Sequence, residues 1–358
     1  MGMLTLLLAC NGSGPGGKDA SDADGDGVSA ATDCDESDAS VFPGATETAE
    51  DGVDQDCDGV DPLAEGTRNG AAPDEGYGAR VLITAAGLVV GAPFAGVAAG
   101  PTDGRVDGAS GSVPGATGAT LGAALAVLGD GTVLVGAPGV GRVLALDGTV
   151  LLERAGAGGV LAANGDGWVT STATGAQRDT GETLDWDRRP DALALDGAGA
   201  VWAGFARGDA VIRTGATTVA RATATDEAGF ALLLADVGAD GRADLVVGAP
   251  GAGLVYVLDP AALPASLADA TAVGPGAGRF GAALAVDAAG VLYVGAPMSG
   301  AGVEGAVYAV EGGVATSRWT GAAEGDQLGF SLAAGRASLA MGAPGSASAT
   351  GSVRVVAP

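Results

Sequence analysis

From residue 76 onward, short apolar runs recur along the chain, and each is followed by the same three residues. The runs LVV, VLV, LVV, LYV and LAM each precede a Gly-Ala-Pro motif. Short aliphatic and β-branched runs that end at Gly and Pro are typical of buried strands. The five motifs begin at Gly91, Gly136, Gly248, Gly295 and Gly342. This pattern predicts an all-β fold made of repeats.

Each motif has a second predicted strand before it, and several have a third strand after it. The upstream strand has the form x-Gly-x-x-Leu/Val, and its glycines are Gly78, Gly122, Gly229, Gly281 and Gly329. The downstream runs are GRVLAL (141–146), GLVYVL (253–258), GAVYAV (305–310) and GSVRVV (351–356). Three short strands in each 45–47 residues, with room for a fourth, predict four-stranded blades of a β-propeller.

The blade count depends on residues 139–247, where the motif is degenerate. If Thr172 and Gly204 are taken as degenerate anchors, two further units fit and the propeller has seven blades. Six or eight blades remain open, because these two units match weakly. Only 14 residues follow Pro344, enough for one strand. We therefore expect residues near 66–76 to supply the outer strand of the last blade and to close the ring.

These repeats resemble the FG-GAP repeat of integrin alpha subunits, a family of seven-bladed propellers. The best matches are Phe280-Gly281 with the motif at Gly295, and Gly229 with the run DLVVGAP that ends at Pro250. The resemblance covers residues 76–356, although Phe occupies the first motif position only at 280. It implies an FG-GAP-like propeller over residues 66–358.

The repeat that contains Gly248, which is the fifth unit when seven blades are counted, has a longer first hairpin than the other four repeats with Gly-Ala-Pro. Its upstream glycine lies 19 residues before Gly-Ala-Pro, against 13 or 14 in the other four repeats. FG-GAP hairpins bind calcium through a DxDxDGxxD loop, so the resemblance implies Asp236, Asp240 and Asp244 as side-chain ligands and Arg242 as a carbonyl ligand. Gly238 replaces the second acidic residue of that loop, so an unfilled turn is the alternative.

The N-terminus has the features of a lipoprotein signal. The apolar run Met3–Ala9 is far too short to span a bilayer, which needs about 20 residues, and fits a signal peptide over residues 1–9. The sequence LLAC resembles a bacterial lipobox, which implies cleavage before Cys10, a lipid anchor on its sulfur and export to the cell envelope. Residues 10–20 then form a flexible tether. No cation precedes the run, so an upstream start and an unmodified Cys10 are alternatives.

Residues 21–65 form an acidic segment in which the pattern DxDxDG occurs twice. Each copy has a carboxylate at loop positions 1, 3, 5 and 12. Alternating aspartates on a tight loop converge on one point, and calcium takes six to eight oxygen ligands. The predicted ligands are Asp22, Asp24, Asp26, Val28 and Asp33 in the first loop and Asp54, Asp56, Asp58, Val60 and Glu65 in the second, with the valines acting through their carbonyls. Calcium is the expected cofactor, and a solvated acidic linker is the alternative.

Residues 22–60 resemble the acidic metal-binding repeats of bacterial surface proteins, which in turn resemble the calcium loops of thrombospondin type 3 repeats. The matching stretches are DADGDGV, DCDESDASVFPGATE and DGVDQDCDG. An exported chain can form disulfides, and apart from Cys10 only Cys34 and Cys57 remain to pair. Such a link would stabilise the segment by about 3 kcal/mol. Since the segment has few apolar residues, we expect it to be loose without calcium.

Composition narrows the classes of function. The formal net charge is −26, and residues 18–65 hold 16 of the 43 acidic residues against the single Lys18. This balance disfavours nucleic acid and anionic lipid as partners and favours cations. The chain has no His, which excludes a Ser–His or Cys–His nucleophile and removes the commonest general base.

We therefore expect a non-catalytic, monomeric, calcium-binding surface lipoprotein that adheres to a protein or polysaccharide through the loops of one propeller face. The fold supports this by analogy only. Trp186, in the polar stretch LDWDRR, is the best candidate for an exposed ligand contact. One alternative is a carboxylate- and calcium-dependent polysaccharide-active enzyme with Asp185, Asp187, Arg188 and Arg189 as its site. The other is a structural envelope lipoprotein. A deep central pocket with convergent acids would favour the enzyme.

Overall fold

A computed structural model describes the protein over residues 22–95, 103–165, 167–208, 210–215, 217–346 and 350–358. The chain divides into two compact units, Met1–Pro62 and Leu63–Pro358. The described part of the first unit consists of turns and bends, with neither helix nor strand. The second unit contains strands β1–β28 and two short 3-10 helices, Ala224–Asp226 and Leu267–Asp269.

The second unit is a seven-bladed β-propeller, as its repeat pattern predicts. Its strands form seven four-stranded antiparallel sheets: β2–β5, β6–β9, β10–β13, β14–β17, β18–β21, β22–β25, and β26–β28 with β1, hereafter blades one to seven. The strand bounds are β1 Gly66–Asn69, β2 Arg80–Thr84, β3 Gly87–Ala92, β4 Arg105–Gly108, β5 Gly111–Pro114, β6 Ala124–Val127, β7 Val133–Ala137, β8 Arg142–Ala145, β9 Val150–Glu153, β10 Leu161–Asn164, β11 Gly167–Ser171, β12 Gly175–Arg178, β13 Thr183–Asp185, β14 Ala192–Leu195, β15 Val201–Phe205, β16 Val211–Thr214, β17 Thr217–Arg221, β18 Ala231–Ala235, β19 Asp244–Ala249, β20 Leu254–Leu258, β21 Ala272–Val273, β22 Ala283–Val286, β23 Leu292–Ala296, β24 Ala306–Glu311, β25 Val314–Thr320, β26 Ser331–Ala334, β27 Leu339–Ala343 and β28 Ser352–Val356.

The first strand of the unit closes the ring. Strand β1 pairs antiparallel with β28, with Gly66 opposite Val355 and Asn69 opposite Ser352. The innermost strands of successive blades contact one another in turn, and β2 of blade one also contacts β26 of blade seven. This pairing confirms that the segment beginning at residue 66 supplies the outer strand of the last blade. It also covers the edge of β28, which would otherwise be open for pairing with another chain.

The hydrophobic core lies between the blades. The described residues form seven buried apolar clusters, and each cluster joins two neighbouring sheets. In blade one, Val89 faces the cluster shared with blade two, whereas Val90 faces the cluster shared with blade seven. The second strand of each blade is therefore buried on both faces, which explains why it reads as a continuous apolar run.

The glycine of the Gly-Ala-Pro motif permits the close approach of one blade to the next. At Gly248, an added Cβ would overlap the backbone carbonyl of Gly281 in the following blade. The same overlap with a following-blade glycine occurs at five further positions: Gly91, Gly136, Gly204, Gly295 and Gly342. Blade three departs from this pattern. Its corresponding residue is Ser171, one position before the predicted anchor Thr172, and the Ser171 hydroxyl accepts a hydrogen bond from the Val160 amide at 3.1 Å.

Candidate metal centre and central cavity

The first DxDxDG loop brings its predicted side-chain ligands together. Carboxylate oxygens of Asp24, Asp26 and Asp33 lie within 4.8 Å of one another, and a second group joins Asp24 to Asp22 and Glu36. The three aspartates at positions 1, 3 and 5 shape the loop by accepting backbone amides from residues two or three positions ahead, as in Asx turns. The backbone at Gly25 has a φ of 87°, in the left-handed region that glycine adopts readily.

In the second loop, Glu47 joins Asp54 and Asp56, whereas the spacing predicts Asp58 and Glu65. Oxygens of Asp54 and Asp56 lie within 4.8 Å of Glu47, which also accepts the Asp56 amide at 2.7 Å. Glu65, predicted at position 12, lies in the propeller unit and accepts a hydrogen bond from the Ala357 amide at 2.8 Å. Asp58 donates its amide to Asp54 and belongs to none of the carboxylate groups found among the described residues.

A disulfide links the two loops. Cys34 and Cys57 are bonded with their Cα atoms 5.8 Å apart, which confirms the predicted pair. Their sulfurs lie beside a carboxylate oxygen of Asp33, but sulfur in a disulfide does not offer the thiolate that binds a metal. Within the described residues of this unit, the donors available to a metal are therefore oxygen atoms.

Several of these oxygens are buried without a hydrogen-bond partner. Among the described residues, the carboxylate oxygens in this state belong to Asp24, Asp26, Asp33, Glu36 and Glu47 in the first unit, and to Glu227, in an ion pair with Arg279, in the propeller. A buried polar atom without a partner costs about 1–3 kcal/mol, and more when it is charged. The five oxygens of the first unit all come from the gathered carboxylates, so these side chains fit the binding of a cation.

The long hairpin of blade five, between β18 and β19, carries three aspartates but holds them differently. Both carboxylate oxygens of Asp236 accept loop amides, from Asp240 and Gly241, each at 2.9 Å. Asp244 accepts the Val237 amide at 3.2 Å. Burial and the neighbouring aspartates raise the pKa of Asp244 above its usual value. Calcium binding here, with Arg242 as carbonyl ligand, stays a prediction.

A cavity of about 710 Å³ occupies the centre of the propeller and is lined by residues from all seven blades. Five of the lining residues are arginines, and Asp191 is the one acidic residue among the described residues that line it. The arginines are Arg80, Arg188, Arg189, Arg207 and Arg279. The cavity is therefore neither lined by glycine alone nor built from convergent acids.

Trp186 is buried, so its predicted role as an exposed ligand contact is wrong. The side chain is 6 % exposed, and its ring packs edge-on against Phe205 with centroids 5.4 Å apart. Its indole Nε1 donates a hydrogen bond to the Gly215 carbonyl at 2.6 Å. Its neighbours Asp185 and Asp187 are exposed, whereas the ring of Trp186 packs in the core between blades three and four.

Two segments of the chain match known families. Residues 228–258, which span β18–β20 and the long hairpin of blade five, match the FG-GAP repeat. The chain carries an FG-GAP repeat. Residues 33–61 match the Cu-binding_MopE family, whose description is "Putative metal-binding motif". The FG-GAP match, the metal-binding motif and the seven blades confirm two predicted resemblances, to the FG-GAP repeat and to the acidic metal-binding repeats.

Solved structures share the fold of this seven-bladed propeller. Virginiamycin B lyase from Staphylococcus aureus has a TM-score of 0.59 and 10 % identity, covering 82 % of this chain and 99 % of that chain. A chain of the mitotic checkpoint complex has a TM-score of 0.57 and 14 % identity, covering 89 % and 98 %. A catalytically inactive form of the lyase with quinupristin has a TM-score of 0.56 and 9 % identity, covering 82 % and 100 %. No curated protein sequence matches the chain.

The donor set of the metal-binding motif bears on which cation fits it. Carboxylate and carbonyl oxygens suit calcium, magnesium and manganese, whereas copper is selected by imidazole, thiolate or thioether ligands. The whole chain lacks His, and both cysteines within the motif are in the disulfide. The gathered side chains therefore fit a hard cation better than the copper in the family's name.

Sequence reasoning missed two members of the gathered sets, Glu36 and Glu47. Both lie between the two DxDxDG copies, outside the position-12 spacing that was used to complete each loop. Glu36 also accepts the Ala23 amide at 2.6 Å, which ties it to the start of the first loop. The signal that could have found them is their place within the matched repeat, in DCDESD and GATE, rather than a distance along a single loop.

The predicted lipidation site, Cys10, lies outside the described residues, as do the signal peptide and the tether. No helix among the described residues is long and apolar enough to cross a membrane.

Proposed function

We propose that the protein is a calcium-stabilised, non-catalytic binding module of the bacterial cell surface. The observation that carries this proposal is the set of buried, unpartnered carboxylate oxygens gathered in the first unit. Calcium would supply the positive charge that these oxygens lack. The side chains of Asp22, Asp24, Asp26, Asp33 and Glu36 would hold one ion, and those of Glu47, Asp54 and Asp56 would hold another.

The propeller would present the ligand-binding surface. Among the described residues, its central cavity has one lining acid, Asp191, whose carboxylate pairs with Arg207 at 3.4 Å. Hydrolysis through carboxylates needs two such groups flanking the scissile bond. An arginine-rich cavity supports recognition of a ligand rather than carboxylate chemistry. In this proposal the chain acts as a monomer, a lipid on Cys10 anchors it to the envelope, and its ligand is a surface protein or polysaccharide.

Calorimetric titration of the full chain with calcium tests the metal part of the proposal. The protein is first passed over a chelating resin, because soluble chelators are polycarboxylates that could bind the arginines. We expect saturable calcium binding, weakened roughly 10-fold by Glu47→Gln, since a lost ligand of this kind costs about 1.4 kcal/mol. The matched control Glu65→Gln should bind as the parent does. Flat calcium heats together with saturable copper binding would contradict the proposal.

Cell fractionation tests the surface part. The full-length protein should partition with the envelope and be cut by a protease added to intact cells. Cys10→Ser removes the acceptor sulfur and should release the chain into the soluble fraction. If both forms stay in the cytoplasm, the chain is not a surface module, whatever its affinity for calcium.

A further inference from the structure

The charge of the central cavity is opposite to that of the chain as a whole. The protein has a formal net charge of −26, yet five of its 16 arginines line this one cavity, with Asp191 as the one acid among the described lining residues. A local excess of positive charge surrounded by protein of low dielectric attracts anions strongly even when the overall charge is negative. The cavity is therefore a candidate anion site.

Topology explains how distant parts of the chain bring these cations together. In an antiparallel blade, the segment that precedes the first strand and the loop between the second and third strands lie at the same end. Arg188 and Arg189 precede β14, Arg279 precedes β22, and Arg207 follows β15. Arg80 is the first residue of β2. Blades one, four and six thus direct cations to one mouth of the cavity.

The arginines differ in how far their charge is already neutralised. Arg279 forms an ion pair with Glu227 at 2.7 Å, and Arg207 lies 3.4 Å from Asp191 with 82 % of its side chain exposed. By contrast, Arg80 hydrogen-bonds only the Ala79 carbonyl, at 2.7 Å, and neither Arg80 nor Arg189 has a carboxylate partner among the described residues. Arg80 and Arg189 are therefore the two lining cations whose charge a ligand would have to balance.

The positions of these two arginines favour a ligand with acidic groups. Arg80 has exposed surface because the cavity admits water, but the surrounding protein desolvates it and lowers its pKa, although an arginine stays charged at physiological pH. The charge of a bound anion would offset the cost of this desolvation. The guanidinium of Arg189 lies directly over the Cα of Gly159, where an added Cβ would overlap it. Because Gly159 has no side chain, the guanidinium of Arg189 can occupy this position. The parallel N–H groups of a guanidinium can donate two hydrogen bonds to one carboxylate.

Apolar side chains line the same cavity between the cations. Phe230 has the guanidinium of Arg279 5.2 Å from its ring centre. Phe330 is 39 % exposed and Met298 is 51 % exposed. Ligand pockets typically combine apolar walls with a few placed polar groups in a volume of roughly 300–1,000 Å³. A chain of sugar rings with carboxylate substituents presents apolar C–H faces and anionic groups in alternation, which matches this lining.

We infer that the central cavity binds an acidic oligosaccharide through Arg80 and Arg189, with Arg188, Arg207 and Arg279 around them. This inference rests on the proposed role of the propeller as a binding module and names the class of ligand that the module takes.

Calorimetric titration of the full chain tests the inference, with trigalacturonate as the acidic probe and maltotriose as its neutral counterpart. Citrate, which carries three carboxylates without a sugar, and inorganic phosphate complete the set. We expect saturable binding of trigalacturonate, at least about 10-fold tighter than that of citrate or phosphate, and no binding of maltotriose. Equal binding of citrate and trigalacturonate would overturn the assignment to a saccharide, and the absence of binding by every anion would overturn the site.

Variants assign the binding to the cavity. Arg80→Gln and Arg189→Gln should each weaken trigalacturonate binding by at least about 10-fold, because each removes a charged hydrogen-bonding group. Gly159→Ala should weaken it as well by displacing the Arg189 guanidinium while keeping the charge. The matched control is Arg318→Gln, which makes the same change in net charge at an exposed pair with Glu311 outside the cavity. An equal loss in the control would show that bulk charge, rather than the cavity, governs binding.

The outcome is separable from that of the proposed function. All variants are checked by thermal unfolding, and Arg80 and Arg189 both have exposed side chains, so folding should be retained. Calcium titrations of the same variants should match that of the parent. Normal calcium binding without trigalacturonate binding would overturn this inference and leave the calcium-stabilised surface module intact. Trigalacturonate binding without calcium binding would overturn the calcium part of the proposed function and leave the oligosaccharide site in the cavity intact.

Discussion

The two units of this protein are stabilised by opposite means. In the propeller, seven apolar clusters lie between sheets, and glycines let one blade contact the next. In the first unit, only Val41 among its described apolar side chains is buried, and the fold depends on one disulfide and on carboxylates that accept backbone amides. The comparison shows that repeats can share a hydrophobic core between neighbours, whereas a short acidic segment needs covalent and ionic links.

Loss of the closing strand should have the largest effect on the propeller. Deleting residues 66–69 removes every β1 partner of β28 and opens the ring. We expect the midpoint of thermal unfolding of the propeller to fall by about 10 °C, which corresponds to several kcal/mol in a domain of this size. The control is a deletion of residues 43–46 in the first unit, which should leave that midpoint unchanged. Equal midpoints for both deletions would mean that β1 does not stabilise the ring.

A single methyl group between two blades should also be costly. Gly248→Ala places a Cβ against the Gly281 carbonyl, so the two blades must separate. We expect the free energy of unfolding to decrease by about 3 kcal/mol, the upper end of the usual cost of overpacking. Gly197→Ala is the matched control, because its Cβ would meet no atom within 4 Å and its backbone is not left-handed. Urea denaturation measures both, and an equal cost would contradict the role of the motif glycine.

Removing the disulfide should affect the first unit alone. The double variant Cys34→Ser, Cys57→Ser leaves no unpaired thiol in the segment and should destabilise it by about 3 kcal/mol. We expect faster amide hydrogen exchange in residues 22–62 and weaker calcium binding. The propeller's thermal midpoint should not change. A concerted fall in both units would show that their stabilities are linked, and the contrast drawn above would fail.

The smallest effect concerns Trp186, which the sequence suggested to be exposed and which is buried. Trp186→Phe keeps an aromatic ring against Phe205 but removes the indole donor to the Gly215 carbonyl. We expect a loss of about 1 kcal/mol in the free energy of unfolding, measured in urea. A tryptophan exposed on the surface would instead show no change in stability on this substitution.

The propeller was predictable because its repeats carry strong local signals. A buried second strand followed by Gly-Ala-Pro recurs at a spacing of one blade. The third blade was harder, because Ser171 replaces the motif glycine and satisfies its neighbours through its hydroxyl. Trp186 was misjudged because the sequence around it is polar, while the direction of its side chain depends on Phe205 in the next blade.

The candidate sites were predictable only as far as they are local. The aspartates of the first loop are gathered as their spacing predicts, but Glu47 joins the second loop from outside its spacing. The arginines of the central cavity lie far apart in the sequence, at positions from 80 to 279, and the net charge of the chain is negative. The net charge of the chain therefore does not predict the charge of the residues that line this cavity, because only the closed ring brings the arginines together.

The pairing of β1 with β28 has a consequence for folding during translation. Strand β1 is the first of the 28 to emerge and its partner is the last, so the nascent chain must carry an unmated strand through the synthesis of six complete blades. Truncated products keep that strand and an open seventh blade, and such exposed edges are prone to aggregate. The junction between β1 and β28 can therefore form only after the chain has been translated through Val355, the partner of Gly66.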